Sequence, residues 1–203
     1  MEDYKGVVVK EFEASAAEFC KLLEEASRMR TGDLFSQLQQ NLPALYQRSA
    51  RLTKPKYCYE EEPKHFVSEE EYAQVHDALQ QKIELYFGIT QMSPGTGPSQ
   101  YEIMSFSIAE GFTDLYEELK NFVKLYEIGI PQALNDAVWI YQHNFQQAIG
   151  VKLIDCLKSL HQLLYNNSAD GARAIQEDDF GQSEDEDEPW YSDDQEEIYG
   201  DGE

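Results

Sequence analysis

Four carboxylates, Glu110, Asp114, Glu117 and Glu118, are threaded through the stretch SIAEGFTDLYEELKNF, residues 107–122. Acids at three- and four-residue steps on a helix could hold a divalent cation against a phosphate, as a metal-dependent hydrolase of nucleotides or phosphoesters requires. On a wheel of about 100° per residue with Glu110 at zero, Asp114 falls near 40°, Glu117 near 340° and Asn121 near 20°. Ile108, Phe112, Leu115, Leu119, Phe122 and Tyr126 gather between about 120° and 200°. The acidic stripe opposes the apolar one and reads as the wet side of a helix. Metal sites in bundles take inward-pointing carboxylates, usually with Glu-x-x-His pairs, and no predicted helix carries such a pair. A magnesium site would also need acids on a neighbouring helix. Glu69–Glu71 sit at a helix start, where capping and the helix dipole account for them. The metal hydrolase, with Glu110, Asp114 and Glu117 as ligands, is therefore the alternative and not the leading expectation.

A second constellation lies on the helix that follows. Leu134, Val138, Tyr141 and Phe145 form its apolar face, while Asp136, Trp139 and His143 gather on the other side with Ile140 between them. A helix apolar on two sides belongs at the centre of a bundle. The functional reading is a groove in which Trp139 stacks on a ligand or partner and Asp136 pairs with His143 at i, i+7. That spacing does not make a triad, and no serine or cysteine lies one turn away as nucleophile, so the feature implies binding before catalysis. His161 reads as a core or rim histidine. Arg48, Arg51, Lys54 and Lys56 form a basic cluster at the end of the second helix, where cations complement the helix dipole. They could equally receive an acidic segment of the same chain. GxxxxGK[ST], HExxH, GxSxG and the dinucleotide-binding glycine pattern are absent from the sequence, which leaves no positive reason to expect an enzyme.

The elements that must position these residues are helical nearly throughout. Ala16, Phe19, Leu23 and Ala26 predict a first helix over about 14–28. Leu34, Leu38, Leu42, Leu45 and Leu52 predict a second, with Pro43 kinking it or dividing it in two. Residues 53–67, with two prolines, read as a long loop. Ser68 with Glu71 is a capping box that opens a third helix over about 68–86, and Ser107 with Glu110 repeats the signature for a fourth that ends near Gly129. Pro131 suits the first position of a fifth helix. The period then continues from Leu134 to Leu164 with Gly150 inside, which predicts two helices meeting at that glycine. The expected fold is all-α, a bundle of about six antiparallel helices.

Charge divides the chain into a helical domain over residues 1–168 and an acidic tail over 169–203. The formal net charge of the 203 residues is −23. Fourteen of the acids and none of the bases lie between Glu177 and Glu203, which leaves the rest of the chain at −9. Dense like charge predicts a disordered tail. Phe180, Trp190, Tyr191, Ile198 and Tyr199 are spaced through it, a pattern that can dock into a partner's groove. An acidic surface repels phosphate backbones, so the expected partner is a basic protein and not a nucleic acid. Cys20, Cys58 and Cys156 are an odd, widely spaced set that suits a reducing cytoplasm. Neither a signal peptide nor an apolar run long enough for a membrane is expected. No cofactor is implied.

The segments AAEFCKLLEEA, LPALYQRSARL, VSEEEYAQVHDAL and, above all, the run from Ser107 to Tyr165 resemble the bacterial family of domains of unknown function DUF5063, over about residues 12–165. The resemblance implies an all-helical protein with no established activity and no functional residue to carry over. The expected role is a cytoplasmic interaction or adaptor module. Its acidic, aromatic-bearing tail would contact a basic partner or the chain's own basic cluster.

Overall fold

Three- and four-residue apolar spacing becomes helix wherever the computed structural model describes the chain, which is residues 6–56, 58–59, 65–90 and 100–165. Regular structure among these residues is all helical: α1 (Val7–Glu24), a 3-10 turn (Ala26–Arg28), α2 (Thr31–Arg51), α3 (Glu69–Thr90), α4 (Gln100–Ile128), α5 (Pro131–Asn144), a π turn (Phe145–Ile149) and α6 (Gly150–Tyr165). The all-α class is as expected. The expected tail lies outside the described residues.

Local chemistry explains several boundaries. At the start of α3 the capping box is made in both directions, with Ser68 N–H donating to Glu71 Oε2 at 2.9 Å and Glu71 N–H donating to Ser68 Oγ at 3.2 Å. Gly129 ends α4 at φ 73°, a conformation that costs glycine little. Pro131 opens α5 at the first turn.

Other boundaries differ from expectation. Helix α1 begins at Val7, and burial of Phe12 explains the earlier start. Pro43 neither ends nor divides α2, because it is exposed and the hydrogen bond it removes falls on the side that water reaches. The Ser107–Glu110 signature does not mark a start, since α4 is already helical from Gln100 and Ser107 lies two turns inside it.

Helix α4 packs against α1, α3, α5 and α6, while α2 packs on α1 and α6. An aromatic knot joins three of them: Phe12 of α1 meets Tyr141 of α5 at 4.5 Å between ring centroids and Phe122 of α4 at 4.8 Å edge to face.

The run from Pro131 to Tyr165 stays helical throughout, so the two helices expected to meet at Gly150 are one rod interrupted by the π turn. The cause lies in the core register. Tyr141, Phe145, Ile149 and Leu153 all face or border the core at steps of four, and twelve residues of ideal α-helix would carry the last of them about 120° out of line with the first. An i→i+5 turn takes in one surplus residue and restores the line. Gly150 is part of the device: a Cβ there would stand 2.9 Å from the carbonyl oxygen of Phe145.

Deleting Gln146, which is exposed in the π turn, is expected to leave a regular helix and a protein that melts no lower than wild type. Deleting Lys158 instead should misplace Leu160 and Leu163 and lower Tm steeply. Gly150→Ala is expected to cost about 1–3 kcal/mol. Circular dichroism melts and denaturant titrations check all three, and a large loss from the Gln146 deletion would refute the register explanation.

Candidate binding ledge beside helix five

The chain that leaves α2 at Arg51 is held by two buried apolar residues, Leu52 and Pro55, with Lys54 between them only half-buried. This sets the Lys54 ammonium 4.2 Å from the centroid of the Trp139 ring and 3.0 Å from His143 Nδ1. The Trp139 and His143 rings are themselves stacked, 5.1 Å apart and 15° from parallel. An ammonium can only donate, so Nδ1 accepts and the neutral ring carries its proton on Nε2. A cation over an indole face contributes about 0.5–2 kcal/mol, more as it is desolvated.

Further along the same segment, Tyr59 N–H donates to Asp136 Oδ1 at 2.7 Å, and Asn135 Nδ2 donates to the same oxygen at 2.9 Å. Asp136 is 2% exposed, and its Oδ2 is buried with no hydrogen-bond partner among the described residues. The opposite side of α5 is tied to α2. The Ser49 hydroxyl donates to Leu45 O at 2.7 Å, so the Tyr141 hydroxyl, also 2.7 Å away, donates to Ser49. Gln142 Nε2 donates to the Ser49 carbonyl at 2.5 Å. Burial pushes the Tyr141 phenol well above its usual range, so it remains a donor. These ties fix where segment 52–59 starts and how it crosses α5.

Two separate sequence constellations thus meet, Lys54 from the basic cluster and Trp139 with His143 from α5. The rest of the candidate set divides. Arg51 turns away to Glu11 of α1 at 3.0 Å. Arg48 is half-buried one turn earlier, and Lys56 is exposed on the crossing segment. The expected pair of Asp136 with His143 is not formed, because two turns of helix separate a buried carboxylate from an exposed imidazole that already has Lys54. His161 is exposed with its ring 4.7 Å from Tyr165, a rim position and not a core one. Trp190 and Tyr191 lie outside the described residues.

The acidic stripe of α4 is drier than its wheel suggests. Asp114 accepts from the Tyr72 hydroxyl at 2.7 Å and pairs through its other oxygen with Lys152. Burial, then the hydrogen bond and charge of Asp114, push the Tyr72 phenol up. Glu118 takes both contacts from the Asn144 amide at 3.0 and 3.1 Å, and Asn121 accepts Phe66 N–H at 2.7 Å. Glu117 lies 3.8 Å from the His65 ring, and Glu110 is exposed. No group of three or more His, Cys, Asp or Glu able to hold a metal occurs among the described residues. Sequence reasoning missed Tyr72, Lys152, Tyr59 and Ser49, which lie 38–92 residues from the groups they meet and leave no local signal.

These features define the class: an all-helical domain with a cation and two aromatic rings on one partly exposed ledge. The chain belongs to the family of domains of unknown function DUF5063, whose match spans residues 4–166 and bears out the resemblance. It is similar to protein BF1032 from Bacteroides fragilis, whose crystal structure aligns with a TM-score of 0.66 at 28% identity over 80% of this chain and 96% of that one. No curated protein matches it.

Asp136→Ala removes the oxygen to which both Tyr59 N–H and the Asn135 amide donate, and is expected to cost about 1–3 kcal/mol. The measurement is urea unfolding followed by Trp139 emission in a Trp190→Phe background. A loss below about 0.5 kcal/mol would mean that Asp136 does not hold the crossing segment.

Proposed function

We propose that this protein is a cytoplasmic interaction module whose acidic tail contacts a basic partner or the chain's own basic cluster (Arg48, Arg51, Lys54 and Lys56), within which Lys54 lies on Trp139. The observation that carries this reading is the Lys54 ammonium held between the His143 imidazole and the Trp139 indole face, a cation on a partly exposed aromatic surface. Such a surface suits carboxylates interspersed with aromatic rings, the composition of the segment EDEDEPWYSDD, residues 184–194.

The exit point of the tail supports the intramolecular form. The Tyr165 hydroxyl at the end of α6 is hydrogen-bonded to Gln39 Nε2 of α2 at 3.0 Å, and α2 runs from there about 18 Å to Arg51. The two dozen residues between Tyr165 and Trp190 reach up to about 80 Å when extended, so the connection spans the distance easily and gives an effective concentration in the millimolar range. The scaffold assumed is a bundle of antiparallel neighbours, with α4 and α5 joined only by Gly129 and Ile130. No helix among the described residues is long and apolar enough to cross a membrane. Burial pushes the Cys20 and Cys156 thiols up to about 12, as suits structural cysteines in a reducing compartment. The alternative, a divalent-metal hydrolase of nucleotides or phosphoesters, draws on Glu110, Asp114 and Glu117, and both Asp114 oxygens are already engaged by Tyr72 and Lys152.

The test compares the full chain with one ending at Asn167, reading Trp139 emission in a Trp190→Phe background as salt is raised from about 0.05 to 0.5 M. Full-length emission is expected to shift as screening releases the tail, while the truncated chain stays constant, and Lys54→Met should abolish the shift. Identical salt responses in both chains, together with unchanged capture of basic proteins, would overturn the proposal.

A further inference from the structure

Between α3 on one side and the end of α1, its 3-10 turn and α4 on the other lies an open cleft of about 730 Å³, within the size range of small-ligand sites. It is separate from the ledge beside α5. Its floor is a fixed polar knot, in which Glu24 Oε1 accepts from Lys120 Nζ at 2.5 Å and from the Tyr116 hydroxyl at 3.0 Å. Burial pulls the Lys120 amine down, but the hydrogen bond to Glu24 and the charge of that carboxylate outweigh it and leave Lys120 raised. Lys120 is thus a permanent cation in the cleft with one of its three donors used on Glu24.

The two walls differ in sign. Arg28, exposed on the 3-10 turn, joins Lys120 on one wall, and Glu24 offsets only one of these two cations. The facing wall of α3 presents Glu71 and Asp77. Glu71 is held in place by Ser68 N–H, and its charge reaches Tyr116 across the cleft. A simple anion entering this space meets the carboxylates of α3, and a simple cation meets Arg28 and Lys120. A molecule that carries both charges satisfies both walls at once.

We infer that this cleft binds a small zwitterion, an amino acid or short peptide, with its carboxylate toward Lys120 and Arg28 and its ammonium toward Glu71 and Asp77. Binding there ties α1, α3 and α4 together and stabilises the fold by mass action.

The experiment is thermal unfolding of the full chain with L-alanine or glycylglycine at about 10 mM, against propionate and propylamine at matched ionic strength. At least one zwitterion is expected to raise Tm by about 2–4 °C while the singly charged analogues do not. Arg28→Ala changes an exposed side chain, and Glu71→Gln keeps a residue that still completes the capping box, so both variants should fold and both should lose the shift. No rise with either zwitterion, an equal rise with propionate or propylamine, or a rise that survives in both variants would each overturn the assignment.

Discussion

Helix α4 packs against four other helices, and the bundle depends on several of its polar groups being met from them. A polar or charged side chain withdrawn from water costs free energy unless a partner replaces the solvent. Asp114 is met from α3 by Tyr72 and from α6 by Lys152. Lys120 and Tyr116 are met from α1 by Glu24. Glu118 is met by Asn144 at the end of α5, and Asn121 by the backbone ahead of α3. The partners come from α1, α3, α5, α6 and the segment ahead of α3, so together they set the angular position of α4 in a way that apolar packing alone does not. Such directional contacts select one arrangement among packings of similar apolar area.

Close approach on the face toward α6 requires a small residue. Gly111 lies against α6, and a Cβ there would stand 3.1 Å from Cys156 Sγ. The π turn answers a related demand. The core surfaces of α5 and α6 line up only if one surplus residue is taken into the turn, and that surplus leaves Val151 and Ile154 exposed at 63% and 50%. These apolar side chains are outside because Leu153 and Cys156 must be inside.

The ledge beside α5 was legible in halves. Trp139 and His143 stood out because they occupy the wrong side of an otherwise ordinary amphipathic helix, and Lys54 stood out within a basic cluster. That they form one site depends on the path of segment 52–59, which buried Leu52 and Pro55 and the Tyr59–Asp136 hydrogen bond decide. Helical spacing suggests His143 as the partner of Asp136, whereas its partners are the backbone of Tyr59 and the side chain of Asn135. A helical wheel gives the direction in which a residue points. It does not say what stands in that direction, and so the α4 acids looked wet until α3 and α6 were in place.

Read alone, the sequence determined the all-α class, the family resemblance, the capping box of α3, the glycine stop after α4 and the placement of most of the core. The resemblance apart, these rest on spacing and residue type along single stretches of chain, which are sufficient for them. Only the tertiary structure decided that α4 starts before Ser107, that Pro131 to Tyr165 is one rod, that Lys54 lies on Trp139, and that Glu24 joins Lys120 and Tyr116 at the floor of a cleft. Those outcomes depend on contacts between residues far apart in the chain. Side-chain chemistry there is satisfied by whichever neighbour packing brings, and local pattern carries no record of that neighbour.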